Sequence, residues 1–396
     1  MTPQTHAHRA LSGSRQGIVP PFLLSRIARL DESAFGHAPE AARRTLGLDA
    51  PFREHRRREP EGEQPGGAES GHHEQSAPGL IRPSLPSRTQ TVAGSTQPGE
   101  PDRLIFDAQG LEDLPGTEVR AEGEPETGDV AVTQAYDGLG DTYALFWEAF
   151  ARDSIDGAGM RLDATVHFGE RYDNAFWDGA RMVFGDGDGE IFRGFTGSVS
   201  IIGHELAHGV TERTANLVYQ GQSGALNEHV SDVFGVLVEQ RLRGDTAQEA
   251  TWLVGAGIFT DQVQGEAIRS MRAPGTAYDD PLLGKDPQPA HMRDYVETTD
   301  DNGGVHINSG IPNRAFVVLA EALGRHAWER AGRIWYETLT GGRITATATF
   351  AQFATATGVV AAELFGDDSD EARAVAAAWD SVGVAPGRVR EKMRRD

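Results

Sequence analysis

One short motif limits the fold and chemistry of this chain more than any other feature: the run HELAH, in which His204 and His208 are four residues apart. On a helix, residues four apart project from the same face, so both imidazoles can reach a single metal ion. Glu205 lies one position round the helix, near such an ion but not bound to it. Apolar residues at Val199 and Ile202 favour a helix at this point. The motif therefore predicts a helix that offers two ligands to one divalent ion.

A second helical stretch, GALNEHVSDVFGVLVEQ, supplies carboxylates further along the chain. Its apolar residues form one stripe, whereas Glu228 and Asp232 lie on another. Two histidines and one glutamate leave the fourth position of a zinc ion open for water, which is the arrangement of catalytic zinc sites. Asp232, one turn beyond Glu228, is placed to accept a hydrogen bond from a ligand imidazole. The alternative is that both carboxylates are ordinary solvated helix residues.

The composition restricts both the side chains that could hold a metal and the partners that the protein could have. The 396 residues include no cysteine, which excludes disulfides and thiolate zinc ligands, so a metal must be held by His, Asp or Glu. A formal net charge of -22 repels polyanions and disfavours a nucleic-acid partner. No stretch reaches the length of a transmembrane helix, and the short apolar run Ile18 to Leu24, interrupted by two prolines, is not a recognisable signal-peptide core. A soluble protein is expected.

Changes in composition divide the chain into segments. Residues 51–102 are rich in Pro, Gly and polar side chains and are predicted to form a flexible linker. Residues 1–50 form an arm too short for a domain, with one or two small helices. Residues 103–218 mix helix and strand patterns, which predicts an α+β lobe that includes the HELAH helix. Residues 219–386 are predicted to form a helical lobe, and residues 387–396 a charged tail.

Local signals predict individual elements within the two lobes. An amphipathic helix is predicted over residues 130–150, and the segments ATVHFGE and ARMVFGDGDG are typical of strands. Thr349 and Gln352 form a capping box that predicts the start of one helix. Ser369 is placed to begin another.

Four motifs, in order along the chain, resemble those of the thermolysin-type metallopeptidases, and in particular of their protealysin-like branch with a short pro-segment. They are NAFWDGARMVFGDGDG, HELAH, GALNEHVSD and TTDDNGGVHINSGIPN. The resemblance covers about residues 103–384 without a large gap. It implies an α+β fold of two lobes, the second all-α, with the zinc helices at the cleft. It also implies a zinc-dependent endopeptidase made as a precursor that processes itself.

The resemblance assigns a catalytic role to several residues. Zn²⁺ would be held by the two histidines and the glutamate described above, while Glu205 would take a proton from the attacking water and return it to the departing amine. Tyr219 and His306 would donate hydrogen bonds to the oxyanion, with Asp301 orienting His306. Without the resemblance, Tyr219 would be an ordinary surface or core tyrosine. His306 would be a loop histidine, because the glycines around it predict a tight loop before a helix near Pro312.

Other residues match positions that bind the substrate in this family. Asn174 would hydrogen-bond the substrate backbone, Ala175 would offer its carbonyl to an edge-bound peptide, and Arg269 would grip the carbonyl next to the scissile bond. An apolar pocket for the side chain after the cut bond, preferring large hydrophobic residues, would be lined by Phe192, Phe195, Ile201 and Ile268. Core packing explains each pocket residue equally well, and a salt bridge on a helix explains the arginine.

The paired calcium site of the family is predicted to be absent or badly weakened. Glu239 remains, but non-acidic residues stand where carboxylate ligands are expected: Ser200, Thr251, Leu253 and Ala256. Calcium needs about six oxygen ligands. Thr260 and Glu266 could contribute to another calcium site. The run DGDGE at residues 186–190 lacks the further spacing of a calcium loop and is predicted to be a turn.

The arm carries the segment VPPFLL, which matches the short pro-segments of the protealysin-like branch. Residues Ile18 to Leu24 are predicted to dock in the cleft as an intramolecular inhibitor, and self-cleavage within residues 84–103 would release the mature enzyme. The resemblance further implies a secreted monomer that acts on proteins or peptides, with no membrane or nucleic-acid partner. Because no signal peptide is recognisable, a cytoplasmic protein is the alternative.

Two other functions are compatible with HELAH. Zinc aminopeptidases also place a glutamate on a later helix, although the NAFW and HINSG motifs favour the endopeptidase. A catalytically silent zinc fold used for binding is the second alternative, and the intact Glu205 argues against it.

Overall fold

The computed structural model of the chain describes residues 16–56 and 99–386. Residues 1–15, most of the predicted linker (57–98) and the predicted tail lie outside the described residues. The sequence assigns residues from 51 onward to the linker, whereas helix α2 (Ala38–Arg56) continues past that point.

The first lobe is built on a six-stranded sheet with the strand order β1-β5-β6-β4-β2-β3. Its strands are β1 (Gln16–Gly17), β2 (Arg103–Asp107), β3 (Thr117–Ala121), β4 (Leu162–Val166), β5 (Ala175–Trp177) and β6 (Met182–Phe184). Strand β4 runs parallel to β2 and β6, and the remaining pairs are antiparallel. Helix α3 (Val130–Phe150) packs against β2 and β4. The predicted helix and the two predicted strands are confirmed.

The arm is part of this lobe rather than an appendage beside it. Strand β1 adds to the sheet edge by pairing antiparallel with β5, and helix α1 (Pro21–Ile27) begins immediately afterwards. The second proline of the pair stands at the first helical position, where its fixed φ suits a helix and its missing N–H is not needed. Glu190 of the lobe accepts hydrogen bonds from the backbone N–H groups at the start of α2, those of Gly36, His37 and Ala38. The arm contains the two predicted helices, but only α1 is small: α2 has 19 residues and continues beyond the predicted arm.

The second lobe is helical. Its helices, with the HELAH helix that leads into it, are α4 (Val199–Glu212), α5 (Gly221–Arg243), α6 (Asp301–Asn308), α7 (Gly310–Leu323), α8 (Ala331–Thr340), α9 (Phe350–Phe365) and α10 (Asp370–Ser381). Two small sheets lie between α5 and α6: β7 (Leu253–Val254) with β8 (Arg269–Ser270), and β9 (Asp279–Asp280) with β10 (Gly284–Lys285). The predicted capping box opens α9, and Ser369 caps α10. None of the helices in the described parts of the chain has both the length and the apolar character to cross a membrane.

Helices α4 and α5 approach closely because glycines lie where they cross. A Cβ atom added at Gly235 would lie 2.3 Å from the carbonyl oxygen of Ser200, and one added at Gly203 would lie 3.0 Å from the Cα atom of Gly235. Each glycine in a helix interior costs about 1 kcal/mol relative to alanine. Glycine is required at both positions despite this cost, because any side chain would force the helices apart. The close crossing sets His204 on α4 against Glu228 on α5.

Candidate active site

The crossing gathers the three predicted metal ligands in one buried place. Ligand atoms of His204, His208 and Glu228 all lie within 4.8 Å of one another. The Nε2 atoms of the two histidines are 3.0 Å apart, and each lies 3.4–3.5 Å from a carboxylate oxygen of Glu228. All three side chains are almost completely buried. Glu228 Oε2 has no hydrogen-bond partner despite its burial, so this oxygen fits a residue that coordinates a cation.

The protonation states of the ligands also suit a metal. Burial lowers the pKa of His208 to about 3, which keeps its imidazole neutral. Burial by itself would raise the pKa of Glu228, but three neighbouring histidines and Arg269 outweigh it and lower the pKa to about 2. Metal ligands must be neutral imidazole and ionised carboxylate, so no proton has to be displaced from either group at neutral pH.

A layer of polar side chains orients the two imidazoles. Asp232 Oδ1 lies 2.9 Å from His204 Nδ1, although the ring N–H is not aimed straight at the oxygen. His208 Nδ1 lies 2.8 Å from Asn227 Oδ1 and 3.0 Å from Ser231 Oγ. Sequence reasoning singled out Asp232 but missed Asn227 and Ser231. Their positions one before and three after Glu228 on α5 are the signal that could have found them.

Glu205 is fully buried beside the ligands without joining them. Its Oε2 accepts a hydrogen bond from the backbone N–H of Trp177 at 3.2 Å, and its Oε1 has no partner. Burial, reinforced by the carboxylate of Glu228, raises the pKa of Glu205 well above its ordinary value. A carboxyl group in this environment can take up a proton at neutral pH, which a general base requires.

Tyr219 and His306 both contact the ligand cluster at Glu228. The Tyr219 hydroxyl donates to Glu228 Oε1, and it lies 3.2 Å from His306 Nε2. His306 Nδ1 lies 2.6 Å from Asp301 Oδ1, which is the contact predicted for this pair. The loop predicted around His306 is wrong in part: only Asp301 to Gly304 have left-handed backbone angles, and His306 lies on the helical turn that follows. The glycine signal located the turn but not its end.

The arm contacts the predicted substrate-binding residues. The Ile18 N–H donates to the Ala175 carbonyl at 3.2 Å, and the Ile18 carbonyl accepts from Arg269 Nη1 at 3.1 Å. The Val19 N–H donates to Asn174 Oδ1 at 3.0 Å. Arg269 lies on strand β8 rather than on a helix, and it also forms the salt bridge of the alternative interpretation, with Asp232 at 2.7 Å.

The four predicted pocket residues are buried in the large apolar core, to which Ile18 also belongs. Phe192, Phe195, Ile201 and Ile268 are each at most 2% exposed and belong to the same apolar cluster as Ile18. The rings of the two phenylalanines are 5.7 Å apart. The side chains of the two isoleucines both reach the same backbone position, Gly255.

The residues considered for a surviving calcium site have protein partners or are exposed. Glu239 forms an ion pair with Arg243 at 2.6 Å. Thr260 donates its hydroxyl to the Glu190 carbonyl, whereas Glu266 is exposed. Within the described residues, no group of three acidic or histidine side chains other than the zinc ligands is close enough to hold an ion. In the run DGDGE, Asp188 accepts three backbone N–H groups, as in the predicted turn.

Fold and site together define a class of protein: a two-lobed zinc hydrolase whose ligands come from adjacent helices, with a buried carboxylate beside them. Two protein-family models match the chain and identify one family within this class. "Thermolysin metallopeptidase, catalytic domain" matches residues 106–212, and "Thermolysin metallopeptidase, alpha-helical domain" matches residues 215–384. The chain belongs to the thermolysin family of metallopeptidases.

Individual relatives agree with this membership. The chain is 54% identical over 286 residues to an extracellular metalloprotease of Pectobacterium carotovorum subsp. carotovorum, covering 72% of this chain and 82% of the relative. It is 38% identical over 294 residues to a thermolysin of Alicyclobacillus acidocaldarius, covering 71% of this chain and 50% of that relative, and so spans half of its length. The precursor of protealysin from Serratia proteamaculans superposes with a TM-score of 0.79 at 46% identity, covering 93% of this chain and 100% of the other. The predicted two-lobed α+β fold is confirmed.

Proposed function

We propose that the protein is an endopeptidase that cuts internal peptide bonds before a large hydrophobic residue and is made as a precursor that processes itself. One observation carries this proposal: the arm crosses the cleft in the manner of a bound peptide. Strand β1 lies against β5, the Gly17 carbonyl oxygen is 3.2 Å from His306 Nε2, and the Ile18 carbonyl is held by Arg269. A substrate in the same register would have its scissile carbonyl at the position of the Gly17 carbonyl.

Glu205 acts as the proton carrier. Zinc held by His204, His208 and Glu228 would polarise a peptide carbonyl and acidify a water molecule when bound. Glu205 takes the proton of the attacking water and delivers it to the nitrogen of the departing amine. Its unpartnered Oε1 is free for the first of these transfers, and the Trp177 N–H holds the other oxygen in place.

Tyr219 and His306 stabilise the oxyanion that forms at the attacked carbonyl. The contact of His306 Nε2 with the Gly17 carbonyl supports this role, because that carbonyl lies where the reacting one would be. Asp301 accepts from the other ring nitrogen and keeps Nε2 directed at the cleft. Loss of one such donor typically lowers turnover by about 10²–10³-fold.

The preference for a hydrophobic residue after the cut follows from the position of Ile18. Its side chain is fully buried, and Phe192, Phe195, Ile201 and Ile268, which are proposed to line the pocket, belong to the same large apolar core. A charged side chain at this point would lose its hydration without gaining a partner, at a cost of several kcal/mol. Large aliphatic and aromatic side chains would gain about 1.5–3 kcal/mol from the same burial.

The proposal is tested with hexapeptides that carry an acetyl group at one end and an amide at the other. We expect cleavage of the central bond when Leu or Phe follows it and little cleavage when Asp does, with all activity removed by a zinc chelator. Glu205→Gln should lower kcat by about 10²–10⁴-fold, the usual contribution of a general base. Mass spectrometry of the products identifies the bond.

Glu212→Gln is the matched control, because Glu212 lies on the same helix and accepts from the indole of the same Trp177. It should retain activity. An aminopeptidase would leave the doubly blocked peptides intact and cut only those with a free amine. A silent zinc fold would cut neither.

The arm is proposed to be an intramolecular inhibitor that is removed by self-cleavage within residues 84–103. Its occupation of the cleft supports the first part, and the neighbouring protealysin structure is likewise a precursor. Purified wild-type protein should shorten on storage, and the Glu205→Gln protein should not. Shortening of Glu205→Gln at the same bond, with no other protease present, would remove the autocatalytic part.

We also place the protein outside the cell, since the Pectobacterium relative bears the name extracellular metalloprotease. Immunodetection in the medium and in washed cells of the producing organism tests this. Accumulation in the cells alone would favour the cytoplasmic alternative.

A further inference from the structure

We propose that Trp335, His229 and Asn313 form a hydrogen-bonded relay that fixes the position of Asp232 and thereby orients the metal ligand His204. None of the three touches the ligand atoms of the metal site directly, so they are positioning residues. The inference rests on the proposed zinc site, because it assigns these residues a task only if His204 binds the ion.

The relay runs through four helices. The indole Nε1 of Trp335 on α8 donates to His229 Nε2 on α5 at 2.7 Å. His229 Nδ1 lies 2.7 Å from Asn313 Oδ1 on α7. Asn313 Nδ2 donates to Asp232 Oδ2 at 2.8 Å, and the other oxygen of Asp232 lies 2.9 Å from Nδ1 of His204 on α4.

The direction of every donor in this relay follows from its first member. An indole N–H can only donate, so His229 Nε2 must be the acceptor and the ring proton must be on Nδ1. His229 then donates to the Asn313 oxygen, which turns the amide N–H₂ towards Asp232. The reversed amide would set donor against donor at His229 and acceptor against acceptor at Asp232. Only one polarity satisfies all the bonds.

Because the relay is buried, the opposite polarity would leave polar groups without partners. All five side chains, from Trp335 to His204, are 0% exposed, so no bulk water can replace a lost partner. An unpaired polar group in such a place costs about 1–3 kcal/mol. Held in this way, Asp232 keeps an oxygen 2.9 Å from His204 Nδ1, although the ring N–H is not aimed straight at it, and His204 Nε2 then faces Glu228 at 3.5 Å. Arg269 holds the same carboxylate from the other side, at 2.7 Å.

The test compares two tryptophans of one cluster in the zinc-loaded Glu205→Gln precursor, which cannot digest itself. Trp335→Phe removes the donor that sets the relay and keeps an aromatic ring. Trp379→Phe is the matched control, because Trp379 stacks on Trp335 with ring centroids 5.9 Å apart but donates to Thr357, outside the relay. Two further variants use His229: His229→Gln can still accept from the indole and donate to Asn313, whereas His229→Leu can do neither.

Zinc affinity by competition with a chromophoric chelator, and the visible spectrum of the cobalt-substituted protein, are the readouts. Changes behind a metal-binding histidine typically cost 10–100-fold in affinity, so we expect about a tenfold loss in Trp335→Phe and His229→Leu, with a shifted cobalt band. Trp379→Phe and His229→Gln should stay within about threefold of the parent.

Equal losses in the two tryptophan variants, or no loss in either, would overturn the relay while leaving the proposed function intact. A parent protein that binds no zinc would instead overturn the proposed function and the relay with it. If Trp335→Phe does not fold, the contrast between His229→Gln and His229→Leu decides, and equal affinities of these two would overturn the relay.

Discussion

Replacing Ile18 by alanine should loosen the arm from the cleft. Ile18 is fully buried, and its neighbours on both sides are held through the backbone, by His306 at Gly17 and by Asn174 at Val19. The substitution removes three buried carbon atoms and leaves the backbone contacts unchanged. Each buried methylene contributes about 0.8 kcal/mol, which gives about 2.4 kcal/mol before any cavity is counted. With a residual cavity the loss should reach about 3 kcal/mol.

A loss of this size is measurable as an increase in opening of the arm. Every 1.4 kcal/mol is a factor of ten, so about 3 kcal/mol raises the open fraction by about a hundredfold. The Glu205→Gln precursor is treated with a serine endopeptidase, and cleavage within residues 16–27 is followed by mass spectrometry. When opening and closing are fast relative to cleavage, the rate tracks the population of the open form.

Arg29→Ala is the control, because Arg29 is exposed just beyond the same helix. Its rate should change by no more than about twofold, the usual effect of a surface substitution. A rate for Ile18→Ala no higher than that of Arg29→Ala would show that the pocket does not hold the arm. The assignment of the pocket to the residue after the cut would then lose its main support.

Three further outcomes are expected. His167 donates hydrogen bonds to Asp186 and Asp129, which raise its pKa to about 9. The stabilisation by its charge is therefore complete below the unfolded pKa of about 6.5 and is lost as the pH rises through 9. Asparagine tolerates the positive φ of this position, so His167→Asn should not strain the backbone. The thermal midpoint of this variant should fall below that of the parent at pH 6 and approach it at about pH 10. The loss in free energy of unfolding at pH 6 should be roughly 1–2 kcal/mol, because solvent screens the half-exposed Asp186. A gap independent of pH would contradict this. Burial, with Asp188 beside it, raises the pKa of Asp173 well above its ordinary value, so keeping this carboxyl in the fold costs more as the pH rises above 4. At pH 8, Asp173→Asn should raise the thermal midpoint and increase the free energy of unfolding by roughly 1–3 kcal/mol. This gain should shrink towards pH 4, and destabilisation at pH 8 would refute the prediction. Finally, about 1 mM calcium should stabilise the metal-loaded protein by less than about 0.5 kcal/mol, as expected if any calcium site is weak, and a larger rise in midpoint would show that a strong site survives.

The features predicted best from the sequence depend only on residue spacing within a single helix. The four-residue spacing of His204 and His208 is a property of a helix alone, and Glu228 shares its stripe with Asp232 and Gly235 on the next helix. Capping residues acted in the same local way, so the starts of α9 and α10 could be predicted. Motif resemblance then supplied Tyr219, His306 and Arg269, which are distant in sequence and meet only after folding.

Contacts that depend on how several helices pack could not be predicted. The bond from Trp335 to His229 joins residues 106 positions apart, and nothing in the composition of either helix marks it. The end of the turn before His306 was missed because glycines signal where left-handed backbone angles occur but not where a helix resumes. The strand formed by Gln16 and Gly17 was missed as well, because two residues are too few to show a periodic pattern and the pairing depends on the β5 edge.

The most direct measurement is anomalous scattering at the zinc absorption edge from crystals of the zinc-loaded Glu205→Gln protein. A zinc site made by these helices predicts one strong peak, within about 2.0–2.2 Å of His204 Nε2, His208 Nε2 and a carboxylate oxygen of Glu228. A peak bound elsewhere, or one at the two histidines with Glu228 turned away, would contradict the assignment of the active site.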